Sequence, residues 1–140
     1  MKAKPIKVIK ADNFAKYGKV IELTSNHKDG FDIIVTSESQ GWRIAVYEIQ
    51  RRTTGFMENH PTSKESFEPL YGTALLMLAE NSNPEDFEVF LLDKPVCLNE
   101  GIWHQIITLS EVAAVKITEN LEVNSEFYYF ENELNPMIYY

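Results

Sequence analysis

The 140-residue chain sets thirteen Lys and Arg against twenty-one Asp and Glu, a formal charge of −8, with 44 % apolar and 12 % aromatic residues. That balance argues against a basic face for nucleic acid or an anionic membrane, and the length suits one domain, residues 1–140, built on a single core. No apolar run approaches the roughly 20 residues that span a bilayer, and MKAKPIKVIK lacks the apolar middle of a secretory signal, so a cytoplasmic location is expected.

Met1 to Pro5 reads as a terminal segment. Asp12 to Gly18 then gives the one convincing helical start, with Asp12 placed to cap a single turn and Gly18 to end it. Strand character extends over 20–23, 31–35, 42–50, 54–57, 66–70, 74–79, 88–92, 96–98, 103–108, 112–118 and 126–130, with Gly, Pro, Asn, Asp or Ser in the breaks. In RIAVYEIQ, Ile44, Val46 and Glu48 share one face, while Arg43, Ala45, Tyr47 and Ile49 share the other. Many short strands and almost no helix predict a β-sandwich or small barrel with room for a pocket between its sheets. The single Cys97 rules out an intrachain disulfide and a Cys-rich metal site, and within the apolar PVCLN it reads as a buried, inert thiol.

The stretch MENHPTSKESFEPLYG, Met57 to Gly72, holds one of the three histidines between two carboxylates. Glu58 and His60, two apart, face the same way on an extended strand, and Glu65 comes after a polar turn. Further on, Gly101-Ile102-Trp103-His104 places a second His just after a turn glycine. Taken singly, each has an ordinary explanation: a solvated carboxylate, a turn His before Pro61, an exposed charge, a core His bonded to backbone. Brought together by an antiparallel sheet, Glu58, His60, Glu65 and His104 make a mixed nitrogen and oxygen site suited to a divalent metal such as Ni, Mn, Zn or Fe.

Glu58-x-His60-x4-Glu65-x6-Gly72 together with Gly101-x2-His104 resembles the two motifs of the cupin superfamily, G-x5-H-x-H-x3-4-E-x6-G and G-x5-P-x-G-x2-H-x3-N. Glu58 stands for the first His, Arg52 for the leading Gly, Asn99 for the Pro and Thr108 for the final Asn. The resemblance implies an all-β, cupin-like double-stranded β-helix, or jelly-roll barrel, with one or two short helices and a metal inside.

The chain also resembles the ureidoglycolate lyases, or ureidoglycolate hydrolases, of allantoin degradation in purine catabolism. Three motifs carry this: Phe14-Ala15-Lys16-Tyr17-Gly18-Lys19-Val20-Ile21-Glu22 against F-x-P-Y-G-D-V-I-E, Met57 to Leu70 against M/L-E-R-H-P-x-x-S-Q-x-F-I-P-L, and Gly101 to Ile107 against G-V/T-W-H-H-P-L. The departures are Asn59 for the Arg, Glu65 for the Gln, Gln105 for the second His, and Glu100 for the basic residue that often precedes the Gly. This resemblance implies cleavage of the C–N bond of ureidoglycolate to glyoxylate and urea. It implies His104, Glu65 and His60 as catalytic groups, a metal set of Glu58, His60, Glu65 and His104, and a homodimer. A second version works without metal, with His104 as base and Glu65 as its partner or as the acid. Arg43, Arg51 and Arg52 are the candidate cations for a substrate carboxylate. Asn59, Glu100 and Gln105 favour a non-catalytic cupin domain that binds a small metabolite, and a third reading is a different cupin enzyme that uses the same metal set on another substrate. The aromatic run 127–130 and the apolar tail 137–140 are candidates for a two-fold interface.

Overall fold

Alternating side chains and short turns build β1 (Ile6–Val8), α1 (Ala11–Phe14), β2 (Gly18–Val20), β3 (Trp42–Ile49), β4 (Thr54–Asn59), β5 (Glu65–Tyr71), β6 (Ala74–Ala79), β7 (Glu88–Leu91), β8 (Val96–Leu98), β9 (Trp103–Thr108), β10 (Ala113–Asn120) and β11 (Glu126–Leu134). The structure, a computed structural model, describes residues 3–137. The tail 138–140 therefore lies outside the described residues, as do Met1 and Lys2.

The strands form two sheets, one ordered β1-β7-β6-β9-β4-β11 and the other β2-β8-β5-β10-β3. Leu76, Leu78 and Phe90 of the first meet Phe67, Leu98 and Val115 of the second in the core between them. A second apolar cluster, with Leu75, Met77, Val89, Phe87 and Phe130, covers the back of the six-stranded sheet. β6 is thus buried on both faces, which is why ALLMLA is apolar without alternation. The expected all-β, cupin-like jelly roll is present as two facing sheets. Among the described residues the edge strands β3 and β11 are not hydrogen-bonded to each other, so strand pairing does not close a barrel along that seam.

Several expectations need correction. The segment 31–35 forms no strand: Lys28 and Phe31 make one isolated bridge around a turn with Asp29 and Gly30 at positive φ, and residues 32–35 join neither sheet. β1 has no signal in the sequence, because three residues, IKV, give too short a pattern. It exists by pairing in parallel with β7, Ile6 opposite Val89. The helical turn is capped from inside, where Asn13 Oδ1 accepts the Lys10 N–H at 2.9 Å. Gly18 does not end it: a Cβ there would lie 1.9 Å from the Cys97 carbonyl oxygen, so the glycine serves the close approach of β2 to β8. In β3 the face carrying Arg43, Ala45, Tyr47 and Ile49 turns inward, leaving Ile44 and Val46 exposed.

Candidate active site

Three strands converge on one point inside the jelly roll. β4 carries Glu58 and runs out at His60, β5 begins at Glu65, and β9 begins beside His104. The β4–β9 register sets Glu58 directly opposite His104. Gly101, at φ 75°, turns the chain into β9, and its N–H donates to the His60 carbonyl at 2.9 Å. This bond ties the two motifs together.

His60 Nε2 lies 3.1 Å from Glu58 Oε1 and 3.4 Å from Glu65 Oε1, and His104 Nε2 lies 2.9 Å from Glu65 Oε1 and 3.8 Å from Glu58 Oε1. All four residues picked from the sequence are therefore brought together. The other ring nitrogens face backbone carbonyls, His60 Nδ1 at 3.1 Å from Asn124 O and His104 Nδ1 at 3.0 Å from Ile102 O. A carbonyl can only accept, so Nδ1 carries a proton in both rings, and each Nε2 points at the carboxylates, where it donates when the ring is charged and where a metal would take the place of its proton. Such backbone-fixed imidazoles are what a metal site needs, and the set fits a divalent ion.

Sequence reasoning missed Glu119. It lies directly opposite Glu65 across β5 and β10 and directly opposite Arg43 across β10 and β3. Its side chain is only 7 % exposed, its Oε2 accepts two bonds from the Arg43 fork at 2.9 and 2.7 Å, and its Oε1 lies 4.0 Å from His60 Nε2. Two sets, Glu58 with His60 and His104, and His60 with Glu65 and Glu119, each hold their donor atoms within 4.8 Å of one another. Val115 and Ile117 alternate inward, and extending that alternation by two residues would have pointed to Glu119.

Charge inside the cluster is tightly coupled. Burial disfavours the charged His60 ring, but bonds and attraction from Glu58 and Glu65 outweigh it and push it up to about 10. Burial opposes the charge on His104 as well, and Glu65 again prevails, raising it. Burial favours the protonated form of Glu65, yet His104 and His60 hold its carboxyl far below the usual carboxylate range. Glu119 is raised, first by burial and then by the facing Glu65 carboxylate, with Arg43 pulling the other way.

A cavity of about 210 Å³ opens onto Glu58, Glu65 and His104, walled by Tyr47, Phe67 and Arg51 among others. The Phe67 ring packs edge-on to His104 at 5.9 Å between centroids. The three arginines part company here. Arg43 is spent on Glu119, Arg52 donates to the Leu109 and Ser110 carbonyls, and Arg51 lines the cavity with its guanidinium 5.4 Å over Phe56. Asn59 is fully buried and, by strand alternation, on the face opposite Glu58. Gln105 donates to Thr54 Oγ1 and the Phe56 carbonyl, holding β9 to β4 where their ladder is a single pair. Glu100 is exposed on the turn before Gly101. Cys97 is buried in β8, and burial pushes its thiol up to about 11.

The sequence profile described as ureidoglycolate lyase matches residues 1–135, nearly the whole chain. The chain belongs to the ureidoglycolate lyase family. Compared with curated proteins, the sequence finds no match. Among solved structures, this member of the ureidoglycolate lyase family is similar to the capsular polysaccharide assembling protein CapF of Staphylococcus aureus, with TM-score 0.54, 16 % identity, and 67 % of this chain and 27 % of that one covered. The chain thus spans about a quarter of CapF. It is also similar to a dTDP sugar isomerase of Desulfovibrio desulfuricans G20, with TM-score 0.55, 13 % identity, and 80 % and 73 % covered. A cupin 2 domain-containing protein of Halorhodospira halophila matches with TM-score 0.49, 16 % identity, and 77 % and 78 % covered. At these identities the likeness is one of fold.

Proposed function

We propose that this member of the ureidoglycolate lyase family cleaves the C–N bond of ureidoglycolate to glyoxylate and urea in the cavity beside Glu58, Glu65 and His104. The observation that carries the reading is the pairing of the His–carboxylate cluster with a single arginine, Arg51, on the wall of the same cavity. The substrate has a carboxylate, which Arg51 would pair, and a hydroxyl on the carbon that also bears the urea nitrogen. His60, Glu65 and His104 would hold a divalent metal, whose chemistry when bound is to polarise the substrate hydroxyl and lower its pKa.

Glu58 is the most exposed of the four, at 31 %, and it borders the cavity. In this reading Glu58 takes the hydroxyl proton as the carbonyl forms, and returns it to the nitrogen as the C–N bond breaks. Atoms and charge balance without an external acid, and such positioned proton transfer is worth roughly 10² to 10⁴ in rate. Asn59 and Gln105, which favoured a non-catalytic binder, weigh less in that direction. One lies on the far face of β4 and the other is committed to holding β4 against β9.

The same reading takes the protein as a cytoplasmic homodimer acting on a small molecule. No helix among the described residues is long and apolar enough to cross a membrane. Phe127 and Tyr129 on the edge strand β11 remain exposed in one copy, which supports a two-fold contact there. Incubation with ureidoglycolate and detection of glyoxylate tests the activity. A pure, folded protein that releases none, with and without added divalent metal, refutes it.

A further inference from the structure

Glu119 has no counterpart in the two motifs that define the cluster, yet it has the geometry of a ligand. Its carboxylate stands directly across the β5–β10 ladder from that of Glu65, and like charges placed so are destabilising in a sheet unless something lies between them. The Arg43 fork accounts for one side only. Both of its bonds go to Oε2, so Oε1 is left buried with no hydrogen-bond donor. That atom, on a side chain 7 % exposed, lies 4.0 Å from His60 Nε2 and within 4.8 Å of the Glu65 donor. A buried carboxylate oxygen without a donor is costly; a proton held between Glu119 and Glu65 would satisfy it, and a cation bound between the two carboxylates and His60 would do so while also offsetting both charges.

We infer that Glu119 is a metal ligand, completing with His60 and Glu65 an inner cation position beside His104, with Arg43 as the positioning residue that holds it. This rests on the metal-binding part of the proposed function and deepens it: the inner set frees Glu58 on the cavity side for proton transfer. With one imidazole and two carboxylates, and a second imidazole beside them, the position suits a first-row divalent ion that accepts oxygen ligands, Mn²⁺ or Fe²⁺.

The test is titration of the chelator-stripped full chain with Mn²⁺. The wild type should bind one ion per chain, and Glu119→Gln, nearly the same in shape, should weaken binding at least about tenfold, while Glu68→Gln on the outer side of β5 leaves it unchanged. Arg43→Met separates ligation from mere charge. Loss of a nearby cation would tighten Mn²⁺ binding if Glu119 acted only through its field, whereas a ligand that has lost its clamp binds more weakly. Weaker binding in both Glu119→Gln and Arg43→Met supports the assignment. Affinity within about twofold of wild type in Glu119→Gln, tighter binding in Arg43→Met, or no binding by the wild type overturns it. Should Glu119→Gln not fold, Glu119→Asp keeps the charge but withdraws the oxygens, and it must also bind more weakly. Glyoxylate release with Mn²⁺ affinity indifferent to Glu119 would leave the proposed function standing without this ligand. Weakened Mn²⁺ binding in a protein that never releases glyoxylate would do the reverse.

Discussion

Glu65 and Glu119 face each other across β5 and β10, both nearly buried, and Arg43 from the next strand clamps the second of them. The arrangement works only while each carboxylate keeps its cation. Arg43→Met is expected to destabilise the fold by roughly 2 kcal/mol, because it leaves a buried charged group unsatisfied. The double change Arg43→Met with Glu119→Gln should recover most of that loss, as removal of both partners does. Urea unfolding of the two variants in metal-free buffer checks the order; a double variant weaker than the single would contradict it.

His104 has its ring fixed by Ile102 O and packed by Phe67, with Nε2 against Glu65. His104→Ala should reduce glyoxylate release by at least about 10²-fold while circular dichroism stays that of the wild type. An active variant would remove His104 from the site.

Arg51 is the arginine left facing the cavity once Arg43 and Arg52 are accounted for. Arg51→Ala should raise KM for ureidoglycolate by about 10- to 100-fold, the worth of a charge-assisted pair, with a smaller effect on kcat and with Mn²⁺ affinity intact. Arg51→Lys should recover part of the loss. Steady-state kinetics with unchanged KM would show that the substrate carboxylate lies elsewhere.

Far from the site, Glu88 accepts hydrogen bonds from Lys7 and Tyr17 and pairs with Lys16 at 3.3 Å. Burial works to raise its carboxyl, but these partners lower it from the ordinary 4.5 to about 2. Because the folded value is depressed, the stabilisation is full above 4.5 and disappears as pH falls from there through 2. After allowance for solvent screening it is about 1 kcal/mol. Glu88→Gln should therefore lower stability at neutral pH, with the difference shrinking as pH falls and gone only below about 2. Thermal melts between those limits measure the difference, and parallel curves for the two proteins would exclude this role.

Light scattering on the intact chain tests the homodimer. The expected mass is twice the 16.2 kDa of one chain. Tyr129→Lys on the exposed edge strand should shift it to one chain without unfolding, and an unaltered dimer would move the contact away from β11.

Strand alternation and turn residues make an all-β sandwich or small barrel readable from the sequence, because each strand must turn one face to the core whatever its partners are, and the resemblance to the cupin motifs narrows it to a jelly roll. Local spacing likewise marks Glu58, His60, Glu65 and His104, since the turns that reverse the chain sit within a few residues of them. β1 and the segment 31–35 escape such reasoning for one cause: whether a short apolar stretch becomes a strand depends on a free sheet edge, which local sequence does not encode. Alternation from Val115 and Ile117 puts Glu119 on an inward face, but tertiary structure alone decided what it meets. It is far along the chain from Glu65, and only the β5–β10 register makes them neighbours. It also decided the arginines, three similar side chains whose roles diverge by where their strands and turns come to rest. Sequence thus determined which faces are buried and which donors are available. Long-range pairing determined which donors meet, because register couples residues through hydrogen bonds between strands rather than along the chain.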